Sequence, residues 1–337
     1  MSFATGVGSL PGDDARAYDE ALRVVLGEFG DPPGLAFLPE LPGRGVHAQI
    51  TGRGLAVVAG LGVDLQPAGW RLTGSSGAPG IDQRRVVSLL AQDLDALEEQ
   101  TQAFGGAFKV QVAGPWTLAA TVEKPRGDKV LADHGARRDL AQGLAEGLAA
   151  HVSRLRRRLG GVGRLVVQID EPALAAVAGA QVPTASGYGR HRSVDRPELV
   201  ESLGWVCEAV VAAGAEPWVH ACAPGTPWDL VLQAGAQGML VDVDVLDAQD
   251  LDVLAEALET ERTVVLGVLP SLAPPAPPSP HVVADRVLRL LDMLGLDPDG
   301  VGERLGVSTA CGQAGADPVW VRESLRSLLS GVRVLRS

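Results

Sequence analysis

Three side chains in this 337-residue sequence combine metal-ligand chemistry with a usable spacing: His220 and Cys222 in "EPWVHACAPG", and Cys311 in "STACG". An imidazole and a thiol two residues apart at the end of an apolar run lie on the same side of a strand, as two ligands of one ion must. Cys311 closes another apolar run, and Asp242 or Asp244 in "GMLVDVD" offers a carboxylate. One imidazole, two thiolates and one carboxylate form a donor set that zinc accepts, the soft sulfurs favouring it over magnesium or calcium. The competing reading makes the two cysteines small buried hydrophobes and His220 a hydrogen-bonded core residue. Spacing alone leaves both open. Asp170 and Glu171 in "VQIDEPAL" pose a similar choice: ligands for a cationic substrate group, or a cap for a following helix with Pro172 at its first position.

Bulk properties narrow the partners. A net charge of −12 disfavours nucleic acid and anionic membrane, since both demand a basic face. No run approaches 18 consecutive strongly apolar residues, so no membrane span is expected. The opening "MSFATGVGSLPGDD" lacks a basic segment followed by an apolar one, and a cytoplasmic location is expected. Three cysteines far apart in sequence do not make a disulfide framework. Cys207, in "LGWVCEAVV", reads as core. His47, His134, His151 and His191 read as solvated, and "QDLDALEEQ" as a solvated helix face. A small-molecule substrate fits this profile.

The elements that position these groups follow from periodicity. Apolar runs suited to strands are "FATGVGSLP", "LAFLPELP", "FKVQVAGP", "RLVVQIDEP", "EPWVHAC", "GMLVDVD", "TVVLGVLP" and "RLGVSTACG", alternating with amphipathic helical segments such as "DDARAYDEALRVVLGEFG" and "PHVVADRVLRLLDMLG". The Gly-rich stretch after the second run reads as a small β excursion, and Ala273 to Pro280 as a stiff extended loop. Eight strands alternating with helices predict an α/β fold, a single (β/α)8 barrel in one domain spanning residues 1–337. An open doubly wound sheet is the alternative, but no G-x-G-x-x-G follows the first strand. In a closed barrel chemistry gathers at the carboxyl ends of the strands. Those ends hold Ser9, Glu40, Asp170, Glu171, His220, Cys222, Asp242, Asp244 and Cys311.

"GVGSLP", "VQIDEPAL", "VHAC" and "STACG", in that order from about Gly6 to Gly312, make the chain resemble the catalytic barrel of the cobalamin-independent methionine synthase family, within the superfamily that includes uroporphyrinogen decarboxylase. The resemblance implies a zinc-dependent methyltransferase moving a methyl group onto a thiol, most simply homocysteine, from methyltetrahydrofolate or another donor. Zinc coordination would deprotonate a thiol whose free pKa is about 8.5. Implied metal ligands are His220, Cys222 and Cys311. The family's fourth ligand is a glutamate; here Asp242 takes that place if the apolar run is aligned, and Asp244 if residues are counted from the histidine. Asp170 is the implied ligand of the substrate amine, with Glu40 beside it by strand order, and Ser9 with neighbouring N–H groups the holder of its carboxylate. Trp116, with Glu171, completes the implied substrate contacts.

Three departures concern the methyl donor. The family's additional amino-terminal barrel is expected to be missing, Thr121 stands where the family has a folate-facing tryptophan, and the histidine credited with proton donation is replaced by a proline-rich run with His281 far along it. A methylcorrinoid protein is therefore an alternative donor. A tetrapyrrole decarboxylase would need basic residues that the acidic strand ends do not supply, and a non-catalytic ligand-binding barrel would be separated from the enzymes by zinc content.

Overall fold

A computed structural model of the chain describes residues 2–73, 79–276, 278–279 and 281–336. In chain order its strands are β1 (Phe3–Ala4), β2 (Ala36–Phe37), β3 (Val63–Gln66), β4 (Gly69–Leu72), β5 (Phe108–Ala113), β6 (Leu165–Asp170), β7 (Glu216–Ala221), β8 (Gly238–Asp242), β9 (Thr263–Leu269) and β10 (Leu305–Thr309). Eight of them form one parallel sheet in the order β1-β10-β9-β8-β7-β6-β5-β2. Its two edges meet: Ala4 bridges Gly34, Ser9 bridges Glu40, and the Leu35 N–H donates to the Ala4 carbonyl at 2.8 Å. The sheet is thus the expected (β/α)8 barrel. β3 and β4 pair antiparallel as the expected excursion after the second barrel strand. Two prolines of the run after β9, Pro277 and Pro280, lie outside the described residues.

Both faces of the sheet are covered, which is why its strands read as near-continuous apolar runs. Along β6, Leu165, Val167 and Ile169 join the core beneath the helices, while Val166 belongs to a separate cluster with Phe3, Leu35, Trp218, Leu240 and Val265. That second cluster plugs the lumen at the amino ends of the strands. Trp218 fits there because its neighbour across the ladder is Gly238, where a Cβ would stand 2.5 Å from the indole Cδ1. Two residues beyond Ala107, Val166 and Trp218 the inward positions turn polar, with Lys109 on β5, Gln168 on β6 and His220 on β7. The outer helices start promptly after their loops. Asp14, Asp133, Asp247 and Asp317 cap the helices Ala15–Phe29, His134–Arg158, Ala248–Glu259 and Pro318–Leu335, accepting hydrogen bonds from first-turn N–H groups. Among the described residues no helix is long and apolar enough to cross a membrane.

Several expectations drawn from local pattern need correction. Regular pairing in β1 stops at Ala4 instead of reaching Leu10, because the Val7 carbonyl turns inward to accept from Lys109 Nζ (3.0 Å) and Gln168 Nε2 (2.8 Å). His151 and His191 are buried, not solvated, and burial pushes His151 down to about 4 with Arg154 and Arg53 adding to it. His47 lies 3.0 Å from Asp82, and His134 is the one of the four that stays exposed, 3.0 Å from Glu198. The acidic helix Ile81–Gln100 is not solvated throughout: Asp93 is buried, gripped by Arg44 at 2.7 and 2.8 Å and by Arg53 at 2.5 Å. A burying partner tens of residues away is invisible to a local pattern. Cys207 is buried, as expected.

Candidate metal centre and substrate cavity

At the carboxyl end of the barrel, His220 Nε2, Cys222 Sγ and Cys311 Sγ all lie within 4.8 Å of one another. Period-two alternation sends His220 and Cys222 inward from β7 and the loop that follows it. Cys311 arrives from beyond β10, its N–H donating to Ser271 Oγ at 3.0 Å and its carbonyl accepting from Thr309 Oγ1 at 2.9 Å. The two sulfurs are 2.7 Å apart, well beyond the roughly 2.04 Å of a disulfide. Cys311 Sγ is 3.8 Å from His220 Nε2.

Electrostatics and tautomer suit a cation. His220 Nδ1 lies 3.1 Å from the Leu240 carbonyl, a pure acceptor, so in the neutral ring the proton sits on Nδ1 and the Nε2 lone pair is the one turned to the sulfurs. The hydrogen bond from Cys222 and the nearby His220 hold the Cys311 thiol down at about 4, whereas the same sulfur contact followed by burial pushes Cys222 up. Of the two sulfurs, Cys311 is the one these contacts favour as thiolate. Burial works against a charge on His220, but Cys311 and Asp170 outweigh it and raise its pKa. The donors fit zinc: two sulfurs and an imidazole nitrogen, close enough for an ion with bonds of about 2.0–2.3 Å to gather them.

The two aspartates after β8 part company. Asp242 is half-buried, within electrostatic reach of both Cys222 and Cys311, and raised by burial. It accepts the Asp244 N–H at 3.0 Å and is not among the three atoms gathered within 4.8 Å. Asp244 is exposed and pairs with Arg286.

Beside the sulfurs opens a cavity of about 340 Å³, lined by Ser9, Glu40, Gln111, Asp170, His220 and Cys222 among others. A larger depression of about 490 Å³ belongs to the outer face, lined by helix Arg196–Ala212 and the 233–235 turn, with no strand end opening into it. The mouth of the barrel is thus the place where concavity and reactive groups coincide. Asp170 is buried; Gln168 Nε2 donates to its Oδ1 at 2.7 Å, and burial raises it while His220 opposes. Glu40 is buried with its Oε1 2.8 Å from Arg53 Nε, a contact of charges in which the N–H is not aimed at the oxygen. Behind the cavity, Lys109 is wholly buried, donating to Gln168 Oε1 at 2.6 Å, and burial pulls it down. Two carboxylates, Glu40 and Asp170, thus line the cavity with the two sulfurs, and the buried cations Arg53 and Lys109 lie behind them.

Glu171 and Trp116 stand elsewhere. Glu171 faces away from the cavity and accepts from the Trp116 N–H (2.9 Å), the Thr117 N–H (2.8 Å) and Thr117 Oγ1 (2.7 Å) at the start of helix Pro115–Thr121. That helix begins with glycine and proline, so its cap comes from the residue that follows β6; a Cβ at Gly114 would stand 2.3 Å from Glu171 Oε1. Trp116 is buried with its Nε1 donating to the Leu199 carbonyl at 3.1 Å. Thr121 bonds back to the Thr117 carbonyl at 2.7 Å, and His281 is exposed beside helix Val282–Leu294. The residues that sequence reasoning missed, Lys109, Gln111, Gln168 and Arg53, include three polar side chains alternating within apolar strands, and that alternation was the available signal.

Glu171 gives a stability test. In Glu171→Gln one acceptor oxygen becomes an amide group facing a donor, and a loss of about 1–3 kcal/mol is expected. Burial pushes Glu171 up to about 7 from an ordinary 4.5, its bonds to Thr117 and Trp116 opposing. The native state then holds a proton that the unfolded chain releases between those values. The residue's contribution is full below 4.5 and declines as pH rises towards 7. The gap between wild type and variant should be wider at about pH 5 than at about pH 8, read from urea midpoints.

Comparison with known proteins adds four findings. Residues 107–332, more than half of the chain, match the family described as cobalamin-independent synthase, catalytic domain. Among solved structures, a B12-independent methionine synthase from Shewanella sp. W3-18-1, in complex with selenomethionine, superposes with a TM-score of 0.60 at 16% identity, covering 99% of this chain and 97% of that one. The catalytic domain of a GH26 endo-β-1,4-mannanase from Bacillus sp. JAMB-750 is more distant, with a TM-score of 0.43 at 14% identity over 99% and 93% of the two chains. No curated protein matches at a significant level.

Proposed function

The chain belongs to the cobalamin-independent synthase catalytic-domain family, and from that premise we propose that it is a zinc-dependent methyltransferase acting on homocysteine to give methionine. The observation that carries the reading is the convergence of one imidazole nitrogen and two sulfurs at the mouth of the barrel, beside a cavity lined with carboxylates. Bound zinc would keep a substrate thiol ionised at neutral pH. His220, Cys222 and Cys311 would hold it, with Asp242 the nearer of the two aspartates to complete the set.

The remaining work falls to this chain's own groups. Asp170 and Glu40 attract the substrate ammonium, and Ser9 with the adjacent backbone receives the carboxylate. Gln168 holds one Asp170 oxygen, and Arg53 sits against one Glu40 oxygen, so neither carboxylate swings freely. The Leu240 carbonyl holds the Nδ1 proton of His220, so the neutral ring would offer Nε2 to the ion. In the transfer, the bond from the methyl carbon to the substrate sulfur forms as the bond to the donor breaks, and the donor leaves with that electron pair. Glu171 and Trp116 take no part in substrate contact in this scheme.

The test is methionine formation by the purified, zinc-loaded protein given homocysteine with methyltetrahydrofolate or, separately, methylcobalamin. Transfer from the folate places it with the family's named activity; transfer only from the corrinoid assigns the other donor. Stoichiometric zinc with methionine from neither overturns the proposal.

A further inference from the structure

We infer that Asp93, buried one layer outside the cavity, is a positioning residue for substrate recognition: through Arg53 it steadies Glu40 and offsets the charge that Arg53 sets against it, leaving Glu40 able to attract the substrate ammonium. The inference rests on the amino-acid thiol reading above and adds to it a residue that touches no substrate.

Four segments bring the group together. Glu40, three residues after β2, lines the cavity. Arg44 ends the short helical turn Pro42–Arg44, Arg53 lies on helix Ile50–Val57, and Asp93 on helix Ile81–Gln100. Arg53 Nε stands 2.8 Å from Glu40 Oε1, and Arg53 Nη1 donates to Asp93 Oδ2 at 2.5 Å. Arg44 holds the same Asp93 carboxylate with two N–H bonds, at 2.7 and 2.8 Å, while its guanidinium lies 4.6 Å from the centre of the Tyr18 ring. The Tyr18 hydroxyl donates to the Asp93 backbone carbonyl at 3.2 Å. Glu40, Arg53 and Asp93 are all buried, so salt and solvent screen these charges little.

The two contacts of Arg53 differ in kind. Its Nε–H is not aimed at Glu40 and has no hydrogen-bond partner among the described residues, so that contact is one of charge alone. The hydrogen bond that fixes the guanidinium is the one to Asp93. A lone guanidinium beside Glu40 would cancel its charge and compete with an ammonium for it. Asp93 relieves that competition, because two arginines against two carboxylates leave the group without net charge. Arg53 is then shared between Asp93 and Glu40, and Glu40 keeps attraction to offer to the cavity.

Calorimetric titration of the zinc-loaded protein with homocysteine and with 4-mercaptobutyrate, the same thiol acid without the amine, tests this. The two ligands share thiol and carboxylate, so the ratio of their affinities isolates the ammonium. Asp93→Asn leaves two guanidiniums against one carboxylate, and the ratio should fall about tenfold, the order expected for one unit of charge about 10 Å away across protein. Adding Arg44→Met to Asp93→Asn restores the balance of charge and should return the ratio to within about threefold of the wild type. A merely structural residue would weaken both ligands alike, and a second substitution among its contacts would deepen the loss. An unchanged ratio in Asp93→Asn, or no recovery in the double variant, overturns the inference and leaves the amino-acid thiol reading in place. Should Asp93→Asn not fold, Arg44→Met alone carries the test: with a carboxylate in excess its ratio should equal or exceed the wild type's, and a fall overturns the inference. Wild-type protein that binds the two ligands equally takes the amine out of recognition and the inference with it. Wild-type protein that binds neither overturns both readings.

Discussion

Cys311→Ser is expected to lose stoichiometric zinc and to lower methyl transfer by about 10³-fold or more, equivalent to roughly 4 kcal/mol of transition-state stabilisation. A serine hydroxyl is harder than a thiolate and keeps its proton at neutral pH, so it is a poor replacement in a set whose softness selects zinc. The fold should survive, because Cys311 is held through its own N–H on Ser271 Oγ and its carbonyl on Thr309 Oγ1, not through its sulfur. Metal analysis alongside the transfer assay checks both halves. Wild-type zinc content in the variant would remove Cys311 from the ligand set.

Asp170→Asn should leave a different signature. The variant keeps the size of the side chain and an oxygen for Gln168 to bond but removes the charge facing the ammonium. A charged hydrogen bond contributes about 1.5–3 kcal/mol, so kcat/KM for homocysteine should drop by about 10²-fold. Zinc content should match the wild type. Loss of metal together with activity would make Asp170 a support of the metal centre instead of a substrate contact.

What the sequence disclosed and what it hid divide along a physical line. Strands covered on both faces must be apolar nearly throughout, so all eight barrel strands were legible as runs, and period-two alternation placed His220 and Cys222 on one side. Cys311 could be joined to them only because the strands close into a ring, a property of the whole chain. Glu171 was read as a substrate contact or as a cap for the helix after it. It caps the helix after β5, some 54 residues earlier, which no spacing rule reaches. Asp93 looked like one more solvated acid until Arg44 and Arg53 met it from distant segments. Lys109, Gln111 and Gln168 were hidden in plain view. Each is a polar residue at an inward position of an apolar strand, the mark of a lumen that is a plug at one end and a polar chamber at the other.

The packed floor of Phe3, Trp218 and their neighbours makes the chamber a blind well. On the proposed reading both reactants would come and go by the same rim, and an amino acid held beside His220 and Asp170 would lie under whatever lands above it. Depth would then set the order of arrival, the thiol entering before the donor and the methylated product leaving after it.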